Sequence, residues 1–189
     1  NDPRALDLDL KDVGGIVCSE DGKLRIASWD TRTGGTMHEY CVMAQFRCPD
    51  GKPGYAVLGS PDDREKAPVA VFGEVHKIDT IVTDAGESVY LVWCHAKSST
   101  FRWSDGITAV RLKSGQVEAV PFFQTKKAIL EGIQITYGSE AEADGAEFRL
   151  LHAKRDTLLV PVISEQFQFS GKFFRYVFDG KRFGYTGIQ

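Results

Sequence analysis

Apolar and polar residues alternate with a period of two through most of this chain, and turn-forming dipeptides interrupt the alternation at close intervals. In "KLRIASW", Leu24 and Ile26 fall on one side while Lys23 and Arg25 fall on the other, as in a half-buried strand. In "TMHEYCVMAQF" one side carries Thr36, His38, Tyr40, Val42, Ala44 and Phe46, and the other carries Met37, Glu39, Cys41, Met43 and Gln45. The first set is the more apolar, so it is expected to face the core, His38 included. "ESVYLVWCHA" and "DTLLVPVIS" are almost continuously apolar, the pattern of strands covered on both faces.

Asp-Gly pairs and single glycines predict where these strands reverse. Asp21-Gly22, Asp50-Gly51, Gly54, Gly86, Asp105-Gly106, Gly115, Asp144-Gly145, Gly171 and Asp179-Gly180 all stand between β-rich runs. Helical signals are few. "TKKAILEGI" has room for about two turns and "SPDDREKA" for about one. The expectation is a single all-β domain over 1–189, an antiparallel meander of many short hairpins. A repeating unit of about 40 residues makes it propeller-like, with a two-sheet β-sandwich as the alternative. In a propeller, "KRFGYTGIQ" would pair with the N-terminal strand and close the ring.

Composition narrows the functional classes. With 189 residues the chain can bury a sizeable core, and a net charge of −3 with no basic stripe argues against nucleic acid as a partner. No stretch approaches the roughly 20 apolar residues of a membrane-spanning helix. The chain starts at Asn1 without a signal segment, which is expected of an exported protein after cleavage or of a fragment. Cys18, Cys41, Cys48 and Cys94 permit two disulfides, with a distant pairing such as Cys18 to Cys94 preferred over Cys41 to Cys48, or else four buried thiols. Their spacing does not suit zinc.

Chemistry-bearing residues gather in a few places. "SWDTRTGGTMHEY" offers a carboxylate, hydroxyls and bare backbone N–H groups through Asp30, Thr31, Gly34 and Gly35, beside Trp29. The competing reading is a loop whose polar groups bond its own backbone. In "WCHAKSSTFRW", Cys94 and His95 are neighbours on a strand and point to opposite faces, so they do not form a catalytic pair. A base for Cys94 would have to be His38, His76 or His152. Trp103 precedes the predicted Gly106 turn and is expected to be exposed. "SEAEADGAEF" begins like a calcium loop, but the glutamate required at position twelve falls on Leu151, and "DLDLKD" lacks a completing ligand. No metal, cofactor or nucleotide-binding motif is present.

"CSEDGKLRIASWDTRTGGTMHEY" and the terminal "YVFDGKRFGYTG" resemble a family of uncharacterised exported all-β proteins of gut-dwelling Bacteroidetes. The resemblance implies an extracytoplasmic location, in the periplasm or at the cell surface, and carries no catalytic residues with it. The expected function is a non-catalytic binding or interaction module at the cell envelope, with a glycan or a protein as partner. Trp29, Asp30, Thr31, Gly34, Gly35 and Trp103 are its candidate ligand residues. The alternative is a hydrolase acting on glycan or peptide, with acidic residues or a histidine in a central cleft.

Overall fold

A computed structural model of the chain describes residues 15–32, 38–59, 69, 71–138, 149–151 and 156–189. In order, the strands are β1 (Gly15–Cys18), β2 (Leu24–Asp30), β3 (Tyr40–Arg47), β4 (Pro53–Gly59), β5 (Glu74–Val82), β6 (Ser88–Ser99), β7 (Arg102–Lys113) and β8 (Gln116–Ala119). They are followed by β9 (Phe123–Gln124), β10 (Ile129–Leu130), β11 (Gly132–Tyr137), β12 (Arg149–Leu151), β13 (Thr157–Ile163), β14 (Phe169–Phe178) and β15 (Phe183–Ile188). Among the described residues there is no helix. The first sheet is the meander β1-β2-β3-β4, and the second has the order β11-β7-β6-β5 with β8 also on β7. The third runs β10-β9-β15-β14-β13-β12. Pairing is antiparallel except between β15 and β9.

The three sheets stack in series because the middle one is apolar on both faces. Along β6, Tyr90, Val92 and Cys94 enter a first core with Leu24, Ile26, Val42, Phe46 and Leu58 of the first sheet. Val89, Leu91 and Trp93 enter a second core with Phe122, Phe123, Leu158, Val160, Tyr176 and Phe183. Each such side chain, fully buried, contributes about 1.5–3 kcal/mol. The double cover accounts for the unbroken apolar run in β6 and replaces the two-sheet sandwich with three layers. In β3, Val42, Ala44 and Phe46 are buried while Met43 is exposed, as the alternation predicts.

Polar ties register the layers. Ser28, 1% exposed, accepts the Val75 N–H at 2.9 Å, satisfying a buried donor on the edge strand β5 at a bulge between Val75 and Lys77. The Tyr90 hydroxyl donates to Asp21 Oδ2 at 2.9 Å, so the first Asp-Gly turn also holds the second sheet. At the other interface the Asp84 N–H donates to the Gly180 carbonyl at 2.8 Å.

Three sequence expectations change. "TKKAILEGI" is not helical: β10 and the start of β11 take four of its nine residues, with Leu130 paired to Phe123 and Gly132 to Thr108. "SPDDREKA" and Asp144-Gly145 lie outside the described residues. Asp105-Gly106 is no turn but the middle of β7, bonded to β6 and β11 through the pairs Gly106 with Cys94 and Gly106 with Gln134. Glycine is needed there for space, since a Cβ would lie 2.6 Å from the Phe72 ring and 3.1 Å from Cys94 Sγ. Gly171 likewise does not reverse the chain. It sits in β14 at φ +74°, where two extra residues bulge out between the pairs Ile163 with Phe169 and Pro161 with Phe173. The reversal comes at Ser164–Gln168.

The ring-closing pairing is not seen either. β15 has β14 on one edge and β9 on the other, and β1 pairs with β2. Phe183, fully buried against Phe122, Phe123 and Phe178, anchors β15 inside the third sheet.

The Asp21–Tyr90 tie is sensitive to pH. Burial alone would raise the Asp21 pKa, but hydrogen bonds from the Ser19 hydroxyl, the Lys23 N–H and Tyr90 outweigh it and hold the carboxyl below its usual value. Burial first, and then the bond to Asp21, push the Tyr90 hydroxyl well above its usual value. A depressed acid stabilises above its unfolded pKa and a raised phenol below its own, so the tie is intact between about pH 4 and about pH 10. We expect Tyr90→Phe to cost about 1 kcal/mol near neutral pH, the low end because Asp21 is partly exposed. That difference should shrink toward zero in acid and in strong alkali, measured by urea unfolding across the pH range.

Candidate functional site

Strands β6 and β7 extend beyond the start of β5 at Glu74, which lies opposite His95. At this end the second sheet leaves its apolar cover. The period-two face that carries Trp93 in the second core continues through His95 and Lys97, and the facing β7 residues are Ile107, Asp105 and Trp103. β11 adds Tyr137 beside Trp103. On the same face, therefore, an apolar interior passes into an imidazole, a carboxylate, an indole, a phenol and an ammonium.

These groups are joined. His95 Nδ1 bonds Asp105 Oδ1, and the Tyr137 hydroxyl donates to Asp105 Oδ2 at 3.0 Å. The carboxylate, 16% exposed, is thus held through both oxygens, while the His95 side chain is 37% exposed. With a proton on Nδ1, neutral His95 presents Nε2 as an acceptor. Its ring stacks on Trp103 with centroids 4.8 Å apart and planes 19° from parallel. Lys97 Nζ lies 5.5 Å from the Trp103 ring centre. Tyr137 and Trp93 belong to the second core, so the aromatic base of the cluster is rigid. His76, in the β5 bulge, shares this environment. Burial lowers its pKa, Asp105 opposes that shift and His95 reinforces it.

At the rim, Arg102 stacks on Phe167, with Cζ 3.9 Å from the ring centre. Phe167 has φ +64°, a left-handed conformation that costs a bulky residue about 1–2 kcal/mol. Its carbonyl accepts the Gly138 N–H at 2.8 Å, which fixes the 164–168 turn beside the end of β11. The opposite face of the same strands carries a hydroxyl row: Ser98, Ser104 and Thr136, with Ser104 1% exposed.

The stretch from Trp29 to His38 is arranged differently. Asp30 Oδ1 accepts the Arg32 N–H at 2.7 Å, and Oδ2 lies 2.9 Å from His38 Nδ1. The Thr31 hydroxyl and N–H both donate to the Glu39 carbonyl, at 3.0 and 2.8 Å. These polar groups staple the loop's own ends. Gly34 and Gly35 lie outside the described residues. His38 is not a core histidine. β3 begins only at Tyr40, so His38 stands beyond the ladder, exposed and held by Asp30.

Trp29, half-buried, lies opposite Cys41 on the face of the first sheet that turns away from the cores. Trp103 is half-buried rather than exposed, because it lies in β7 under the His95 ring and not at a turn. The two tryptophans therefore occupy different sheets and different faces, and they do not form one site. Asp105 and Tyr137 are not among the sequence-based candidates, and His76 is there only as a possible base for Cys94. The signal for Asp105 was the reversal at Thr100–Phe101, which pairs Lys97 with Trp103 and hence His95 with Asp105.

Cys94 points away from His95 into the first core, fully buried, with its thiol donating to the Gly106 carbonyl at 3.6 Å. Burial pushes this thiol up to about 12, so it is no nucleophile near neutral pH. All four cysteines are free, and a bond from Cys18 to Cys94 is precluded because Cys18 is exposed on the edge strand. Among the described residues, no group of three or more His, Cys, Asp or Glu side chains is placed to hold a metal ion. No helix there is long and apolar enough to cross a membrane. Neither a family model, nor a curated protein, nor a solved structure matches the chain.

The thiols provide a direct check of this arrangement. In the native protein we expect a thiol reagent at mildly alkaline pH to label Cys18 readily and to leave Cys94 unmodified. In denaturant without reductant, all four thiols should titrate. A shortfall would mean a disulfide, contrary to the four free thiols of this arrangement.

Proposed function

We propose that this chain is a non-catalytic, extracytoplasmic binding module, and that it takes a glycan at the His95–Trp103–Asp105–Tyr137 cluster. The observation that carries this reading is the imidazole–indole stack held in place by a carboxylate that both His95 and Tyr137 engage. Sugars present flat C–H faces, which suit aromatic rings, and hydroxyls, which need fixed acceptors and donors. His95 Nε2, the Asp105 carboxylate and Lys97 supply those polar groups around half-buried aromatic surface. Asp30 and Thr31 are a weaker choice, since their polar atoms are engaged within the loop.

The extracytoplasmic location rests on the resemblance to exported Bacteroidetes proteins. The propeller-like reading is supported by two successive four-stranded runs, β1–β4 and β5–β8, stacked face to face as neighbouring blades would be. A hydrolase has one observation in its favour, the His95–Asp105 pair with Nε2 directed away from the carboxylate. The hydroxyls of Ser98, Ser104 and Thr136 lie on the opposite face, so such an enzyme would use His95 to activate water.

A glycan array followed by calorimetry on its hits tests the proposal. Trp103→Ala and Asp105→Asn should each weaken binding by about tenfold or more, roughly 1.4 kcal/mol, while circular dichroism stays unchanged. Full affinity in both variants would defeat the glycan site. Cleavage of the bound glycan by the wild type, abolished by His95→Ala, would favour the hydrolase instead.

A further inference from the structure

We propose that the outer face of the first sheet is the contact surface of a symmetric dimer of this chain. This inference is independent of the glycan site, which lies on another sheet. The alternation that buries Leu24, Ile26, Val42 and Leu58 sends their neighbours to the opposite side. Across β1 to β4, Ile16, Ala27, Met43 and Val57 pair in one continuous row on that side. Met43 is 39% exposed and Val57 44%, and Tyr55 beside them is 59% exposed. No described strand covers this face, although the inner face of the same sheet and both faces of the second sheet are packed. A contiguous apolar patch on an open sheet marks an interaction surface, and a further layer would extend the face-to-face stacking already used twice in the fold.

Register selects a second copy as the occupant. Place a two-fold axis along the Ile16–Ala27–Met43–Val57 row, between two such faces. Ala27, Met43 and Val57 then each meet their own counterpart. Residues at equal distances on either side of the row meet each other. Arg25 and Trp29 are equidistant from Ala27, so Arg25 lies over Trp29 of the other copy, a cation–π contact. Arg47 at the end of β3 and Glu39, one residue before its start, are equidistant from Met43, so each cation falls against an acid of the other copy. The face is therefore complementary to itself in charge, as an isologous interface must be. Strands of four, seven, eight and seven residues, rising about 3.3 Å per residue and spaced about 4.8 Å apart, cover roughly 400 Å² per copy. The total of about 800 Å² lies in the range of weak, transient interfaces, which points to dimerisation only at high micromolar concentration.

Sedimentation velocity from micromolar to near-millimolar concentration tests this. The wild type should shift from monomer to dimer with a Kd in the high micromolar range. Met43→Lys combined with Val57→Lys should stay monomeric throughout, with thermal unfolding little changed because both side chains point outward. In a background with Cys18, Cys41 and Cys48 replaced by serine, Met43→Cys should be trapped as a dimer by a short bis-maleimide, since the axis passes through that position. A wild type that is monomeric at the highest concentration overturns the proposal. So does a dimer that survives the double lysine variant, or a Met43→Cys variant that the bis-maleimide fails to trap.

Discussion

Strand β6 buries Tyr90, Val92 and Cys94 on one side and Val89, Leu91 and Trp93 on the other, so its sheet must be roofed twice. That double burial organises the molecule. The first sheet supplies one roof through Leu24, Ile26, Val42 and Phe46, and the aromatic cluster around Phe122, Phe123 and Phe183 supplies the other. Polar contacts sit where the layers meet at their margins: Ser28 on the Val75 N–H, Asp21 on Tyr90 and Asp84 on the Gly180 carbonyl. The apolar area supplies the stabilisation, and these bonds restrict how the sheets slide, because a buried donor left unmatched costs about 1–3 kcal/mol.

The candidate site follows from the place where the double cover ends. Beyond Trp93 the same face of β6 carries His95 and Lys97, and the neighbouring strand carries Asp105 and Trp103. Side chains there are anchored by the core at one end and reach solvent at the other. Asp105 is the hinge of the cluster, because one carboxylate orients both an imidazole and a phenol. The Asp30–His38 pair uses the same chemistry to another end. Its carboxylate also accepts a loop N–H, so its acceptor capacity serves the chain itself.

Alternation alone made much of this legible. It placed Val42, Ala44 and Phe46 inward, marked "ESVYLVWCHA" as covered on both sides, and put Cys94 and His95 on opposite faces. The error at Asp105-Gly106 had the largest consequence. Reading that pair as a turn put Trp103 and Asp105 into a loop and hid the strand pairing that brings Asp105 to His95. Asp-Gly is favoured in tight turns, but a glycine is also required wherever neighbouring side chains occupy the space of a Cβ, as the Phe72 ring does here. His38 was misplaced for a related reason: the alternation continues past the point where pairing stops, and burial requires a strand on the other side.

Local chemistry by itself determined the all-β class, the positions of most reversals and the face each strand residue takes, since these depend on φ preferences and on a two-residue repeat. Only the tertiary structure decided that there are three layers, that β15 lies within the third sheet, and that Tyr137 shares a carboxylate with a histidine 42 positions earlier in the chain. Contacts between residues far apart depend on register and stacking order. Those are settled by the summed burial of whole sheets, and no short stretch of sequence contains that sum.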